Sequence, residues 1–190
     1  MTTTTEPYDL ESLRQQTHDG WEPTYLFFWG HTAKRPGVVG KECLSQWYPA
    51  SFVVDGTTYS SAEHFMMAKK ALLFGDEDAA GRIVLAKSPA EAKELGRGVR
   101  DFDEARWEKH RFDFVVEGNY AKFGQNRALS DFLRSTKDKV LVEASPTDRI
   151  WGIGLNESDD AAHFPDRWRG LNLLGFALMR ARATLSSESR

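Results

Sequence analysis

The chain has 190 residues, 41% hydrophobic and 28% charged, which suits one domain with one buried core. Its net charge of −3 provides no broad basic field for nucleic acid, yet leaves room for a local phosphate pocket. Cys43 is the one cysteine, which excludes an internal disulfide, and no apolar run approaches the ~20 residues of a membrane span.

Residues 1–20 read as a loose polar leader without the basic and apolar regions of a secretory signal, so cytoplasmic residence is expected. Residues 21–185 read as a single domain and 186–190 as a polar tail. Tyr25-Leu26-Phe27-Phe28-Trp29-Gly30 predicts a buried strand ending at a glycine, and 31–42 a loop rich in Gly, Lys and Pro. Phe52-Val53-Val54 and Thr57-Thr58-Tyr59 flank Asp55-Gly56, a turn pair that tolerates positive φ, and so predict a hairpin. Ser60-Ser61-Ala62-Glu63 has capping-box spacing and opens a helix to about Phe74, ended by Gly75. Further helices are predicted near 76–87, from Ser88-Pro89 onward, over about 102–123, over 127–135 and over about 171–185. Val140-Leu141-Val142 predicts a strand, and Arg149–Leu155 a strand or an extended loop. Strands do not alternate regularly with helices. The expected class is therefore α+β, predominantly helical, with a small sheet or hairpin.

The helix from Ser61 to Phe74 carries charge on an apolar surface. At about 100° per residue, Glu63, Met67, Lys70 and Phe74 share one stripe, while Phe65, Leu72 and Leu73 hold the other side. A helix apolar nearly all round is expected to be central and buried. Glu63 and Lys70 then sit two turns apart, roughly 10 Å along the axis, too far for an i,i+4 pair. Buried charges need compensation, either from a substrate pocket between them or from partners on other elements. The plainer alternatives are that Glu63 caps a backbone N–H at the third helical position and that Lys70 snorkels to water. His64, beside Ala68 and Ala71, is expected to pack or to make a local hydrogen bond.

The second informative stretch is Ser145-Pro146-Thr147-Asp148-Arg149-Ile150-Trp151-Gly152-Ile153-Gly154. Asp148 suits orienting water or a sugar hydroxyl, and Arg149 suits phosphate or carboxylate. Trp151 suits stacking on a base, and Gly152 lets the backbone approach a ligand. The same stretch equally describes a turn with an Asp–Arg pair and a core indole. Other motifs fail. Gly152-Ile153-Gly154 lacks the third glycine of a dinucleotide fingerprint, and Gly37–Lys41 is too short for a P-loop. The five histidines form no HExxH pair, so no zinc site is supported.

In order, these segments resemble the NADAR family, also called YbiA-like. The resemblance rests on Phe27–Gly30, Leu44–Phe52, Tyr59–Lys70, Glu91–Arg97 and Leu141–Leu155, with Gly170–Gly175 in support. Gln46-Trp47 departs from the Asn-Phe often found there. The resemblance implies an N-glycosidase with no metal and no cofactor. Its substrate would be a ribosylaminopyrimidine phosphate of early riboflavin synthesis, or ADP-ribose on guanine in nucleic acid. It carries the acidic and basic helix positions onto Glu63 and Lys70, and the later acid and indole onto Asp148 and Trp151. It implies that Phe28, Trp29, Gly30, Ser45 and Trp47 contact substrate; Arg97 also fits the family pattern, either as a phosphate contact or as a surface arginine at a helix end.

Breaking a C–N glycosidic bond develops positive charge at the anomeric carbon. A carboxylate such as Glu63 or Asp148 can stabilise that charge or activate water. Lys70 has another option: a neutral amine, favoured by burial, can hold the opened sugar as a Schiff base. The alternative function is a binding module for ADP-ribose or a related nucleotide, without turnover. Six Trp and twelve Phe suit either role.

Overall fold

In the computed structural model, residues 6–33, 35 and 37–188 are described. Met1–Thr5 of the expected leader, Lys34 and Pro36 of the expected loop, and Ser189–Arg190 of the expected tail lie outside them.

Strand β1 (Tyr25–Phe28) pairs in parallel with β4 (Val140–Glu143), in the register Tyr25↔Val140 to Phe28↔Glu143. Strands β2 (Phe52–Val54) and β3 (Thr57–Tyr59) form the predicted hairpin. Asp55 and Gly56 have φ of 50° and 77°, as the tight turn requires. Between β3 and β4 run five helices: α2 (Ala62–Leu73), α3 (Glu77–Val84), α4 (Pro89–Arg97), α5 (Glu104–Gln125) and α6 (Arg127–Ser135). Helix α7 (Leu173–Ser187) closes the chain and lies against both α5 and β4. Among the described residues no helix is long and apolar enough to cross a membrane.

Strand β4 occupies the centre. Val140, Leu141 and Val142 have no solvent exposure, which explains the unbroken apolar run in their sequence. On one side lies β1. On the other, Asn172 takes the place of a neighbouring strand: its Oδ1 accepts from the Glu143 N–H at 2.9 Å, and its Nδ2 donates to the Leu141 carbonyl at 2.9 Å. Helix α7 comes so close that a Cβ on Gly175 would lie 2.0 Å from the Leu141 oxygen. Only glycine admits that approach.

Four sequence expectations change. Leu10–His18 of the expected leader is helix α1, capped by Asp9, with Leu13 fully buried. It is held by Arg14 on the Pro165 carbonyl and by His18 on Asp166. Helix α7 runs on to Ser187, into the expected tail. Arg149–Leu155 is neither strand nor extended. It is a looped stretch stitched by backbone hydrogen bonds, including Gly154 N to Asp148 O and Ile153 N to Glu143 O, each 3.0 Å. The α2 cap is Ser61, whose Oγ accepts from the His64 N–H at 3.4 Å. Glu63 is therefore not the capping residue, and its own N–H donates to the Gln46 carbonyl at 3.0 Å. The Ser61 hydroxyl and the Ala86 carbonyl hold the two nitrogens of His64 at 2.7 and 3.1 Å, the packing role expected for it.

Helix α5 braces the Cys43–Gln46 segment from behind. The fully buried Lys122 donates to the carbonyls of Cys43 and Ser45 at 2.6 and 2.8 Å, and burial pushes its amine down to about 7. Asn119 donates to the Gln46 side-chain oxygen at 2.8 Å.

Candidate active site

A cavity of about 600 Å³ opens between α2, α4, α5 and the stretches that follow β1 and β4. The end of β1 delivers Trp29 and Gly30 to it, and the braced segment delivers Ser45, Gln46 and Trp47. Helix α2 presents Glu63, Met66, Met67 and Lys70; α4 presents Lys93 and Arg97; α5 presents Trp107. The end of β4 adds Glu143, and the stretch after it adds Asp148 and Trp151.

The side chain of Glu63 is 3% exposed, and its Oε1 has no hydrogen-bond partner. Burial raises the carboxyl to about 7, against the opposing pull of Lys93 and a hydrogen bond from Trp47. Glu143 ends β4 and also lines the cavity, with its Oε2 shut off from solvent and unpartnered. Burial raises it to about 8, and the negative charges of Asp148 and Glu63 add to the rise.

Asp148 lines the cavity and also shapes its wall. Its Oδ1 accepts from the N–H groups of Ile150 and Trp151, each at 2.8 Å. Lys70 does not snorkel to water. Its Nζ donates to the Gly96 carbonyl at 2.9 Å and lies 4.1 Å from the Phe102 ring centroid. Burial lowers its pKa, with Glu104 opposing. Lys69 points elsewhere and pairs with Glu117 at 3.1 Å. At the rim, Trp29 is 61% exposed and Trp47 is flanked by Lys93 and His31. Arg97 also borders the cavity, while its guanidinium pairs with Glu94 at 2.9 Å.

Of the residues expected from the sequence, the cavity gathers Glu63, Lys70, Asp148, Trp29, Gly30, Ser45, Trp47 and Trp151. Three are placed otherwise. Phe28 is fully buried in the core cluster, because β1 is covered on both faces. Arg149 is exposed and does not border the cavity. Gly152 serves close packing instead of ligand approach: a Cβ there would lie 2.8 Å from the Glu143 carbonyl oxygen. Sequence reasoning missed Glu143 and Lys93. The available signals were a carboxylate closing a buried apolar strand, and a Lys93/Arg97 pair at i,i+4 on α4. Among the described residues no group of three or more His, Cys, Asp or Glu is arranged to hold a metal ion.

The NADAR domain model matches residues 27–186. The chain is 45% identical over 164 residues to the N-glycosidase R617 of Acanthamoeba polyphaga mimivirus, covering 83% of this chain and 94% of that one. It is 32% identical over 135 residues to N-glycosidase YbiA of Shigella flexneri, covering 71% and 76%. It is 34% identical over 138 residues to the maize chloroplastic riboflavin biosynthesis protein PYRR, covering 69% of this chain but 20% of that larger protein. Its fold is similar to the NMR structure of Escherichia coli YbiA, with a TM-score of 0.71, 27% identity and 89% of each chain covered. Matched along nearly its whole length in sequence and in fold, the chain belongs to the NADAR family of YbiA-like N-glycosidases.

Proposed function

We propose that the protein hydrolyses the C–N glycosidic bond of a ribosylated, phosphate-bearing substrate. The two candidates are a ribosylaminopyrimidine phosphate of riboflavin synthesis and ADP-ribose on guanine. The observation that carries this proposal is Glu63: a buried carboxyl with an unpartnered oxygen, opening onto a cavity lined by indoles and cations. A native fold rarely leaves such an atom unpaired unless something else meets it.

In this scheme Glu63 stabilises the positive charge at the anomeric carbon or takes a proton from the attacking water. Asp148 orients the sugar. Trp29, Trp47 and Trp151 hold the base, and Lys93 with Arg97 offers positive charge to phosphate. Lys70 engages the anomeric carbon, either as a neutral amine forming a Schiff base or as a cation. Its burial favours the first form; its carbonyl partner and the Phe102 face suit the second. Kinship to a riboflavin biosynthesis protein supports the pyrimidine substrate. Cytoplasmic residence belongs to the same picture.

The test is to incubate the purified protein, without added metal, with the ribosylaminopyrimidine phosphate and with an ADP-ribosylated guanine oligonucleotide. Released base is then identified by mass spectrometry. Release from one of them is expected, and release from neither overturns the proposal. Borohydride added during turnover distinguishes the lysine roles, since only a Schiff base leaves a covalent adduct on Lys70.

A further inference from the structure

Glu63 is not alone in the cavity. Glu143 reaches the same space from a different element, the last residue of β4, and it too has a solvent-free oxygen without a partner. Its backbone is fixed on both sides: its N–H donates to Asn172 Oδ1 at 2.9 Å, and its carbonyl accepts from the Ile153 N–H at 3.0 Å. The missing Cβ of Gly152 lets the loop lie against that carbonyl. A side chain delivered from a strand end held this way is preorganised, as a group that must meet one atom of a substrate needs to be.

We propose that Glu143 is a second catalytic carboxyl, which hands its proton to the departing base while Glu63 serves the anomeric carbon. This rests on the glycosidase proposal above.

The charged and titratable groups around the cavity are Glu63 and Lys70 from α2, Lys93 and Arg97 from α4, Asp148 from the following loop, and His31 from the stretch after β1. Three acids in one cavity cannot all ionise cheaply. Burial and the charges of both Asp148 and Glu63 favour the protonated form of Glu143, and its place at a fixed strand end beside an ionisable Glu63 suits it to the donor role.

The electron and proton balance closes. As the C–N bond breaks, its electron pair passes to the base nitrogen, which takes the Glu143 proton. Water places its oxygen on the anomeric carbon and gives a proton to Glu63. The products are free base and free sugar. Glu143 is left ionised and Glu63 protonated, and one proton passing between them restores the starting state. A route through a Lys70 adduct needs the same donation to the base.

The experiment compares wild type, Glu143→Gln and Glu143→Asp on the two glycosides named above, across pH. Wild-type activity should fall as pH rises through about 8, where Glu143 loses its proton. Glu143→Gln should lose about 100-fold or more in kcat with KM little changed, as expected for a lost general acid. Its residual rate should lack the alkaline limb. Glu143→Asp keeps an ionisable proton and should recover part of the rate together with that limb, which a merely structural role would not produce.

In parallel, 13C-glutamate NMR follows each carboxyl directly in the free protein. The resonance missing from Glu143→Gln should be the last to titrate. Wild-type rate in Glu143→Gln, or a Glu143 resonance that titrates with the ordinary carboxylates, overturns the assignment. A wild type that releases no base from either glycoside overturns the glycosidase proposal and this one with it. Loss in Glu143→Gln with the alkaline limb restored in Glu143→Asp supports both, and equal loss in both variants with no change of limb overturns the acid role of Glu143.

Discussion

In the unfolded chain Glu63 titrates near 4.5, and in the folded chain near 7. Its folded value is raised, so its contribution to stability is full below the unfolded value and is lost as pH rises through the folded one. Glu63→Gln removes that loss. The variant should match wild type in Tm near pH 4.5, pull ahead as pH rises, and hold its full advantage above about pH 7. A gain of several degrees is expected, since about 1 kcal/mol moves Tm by about 2–4 °C at this size. Activity should vanish in the same protein. Scanning calorimetry over pH checks the first claim, and a pH-independent Tm difference would remove it. The sequence exposed Glu63 because an acid on an apolar helix breaks the pattern around it. It hid Glu143, because a carboxylate at a strand end looks like an ordinary solvated terminus. What makes Glu143 unusual is its burial, to which Asp148 on a folded-back loop and Glu63, eighty positions earlier in the chain, add their negative charge.

Among the elements, those with strong local signals were legible: the Asp55-Gly56 hairpin, the Ser88-Pro89 start of α4, and α6 at its full length. Helix α1 was not. Apart from Leu10, Leu13 is its only large apolar residue, and its support comes from Pro165–Arg167, far along the chain. The looped stretch after β4 also depends on distant partners, such as the Arg149 carbonyl, which accepts from the Leu171 N–H at 3.0 Å. Two substitutions separate support of the fold from support of the site. Leu13→Ala empties a fully buried position and should cost about 2–5 kcal/mol, with kcat at wild-type level in the protein that remains folded. Gly175→Ala drives a Cβ into the Leu141 carbonyl, a backbone atom that cannot swing aside. It should cost about 3 kcal/mol or more and also depress kcat, because β4 carries Glu143. Denaturant unfolding alongside activity checks both. A Gly175→Ala protein with wild-type stability would contradict the close approach of α7.

At the scale of the molecule, the cavity joins helices α2, α4 and α5 to the shared C-terminal end of the parallel pair. A ligand seated there ties together parts of the chain that are otherwise linked only through the core, and so stabilises the native state by mass action. The inactive variant Glu63→Gln, saturated with ADP-ribose at about 100 times its Kd, should gain about 2.7 kcal/mol. That should appear as a clear rise in Tm by thermal-shift assay, and an unchanged Tm would argue against ADP-ribose as an occupant.

Because β1 and β4 run in the same direction, both release their chains at the cavity. The stretch after β4 is tied down by Asn172 and Asp148, whereas the one after β1 carries the exposed indole of Trp29 and a run of small and polar residues. One margin is built for constancy and the other is open to drift. Lengthening or recolouring the Trp29 margin would change what the cavity admits, while the carboxyls on the opposite bank keep their places.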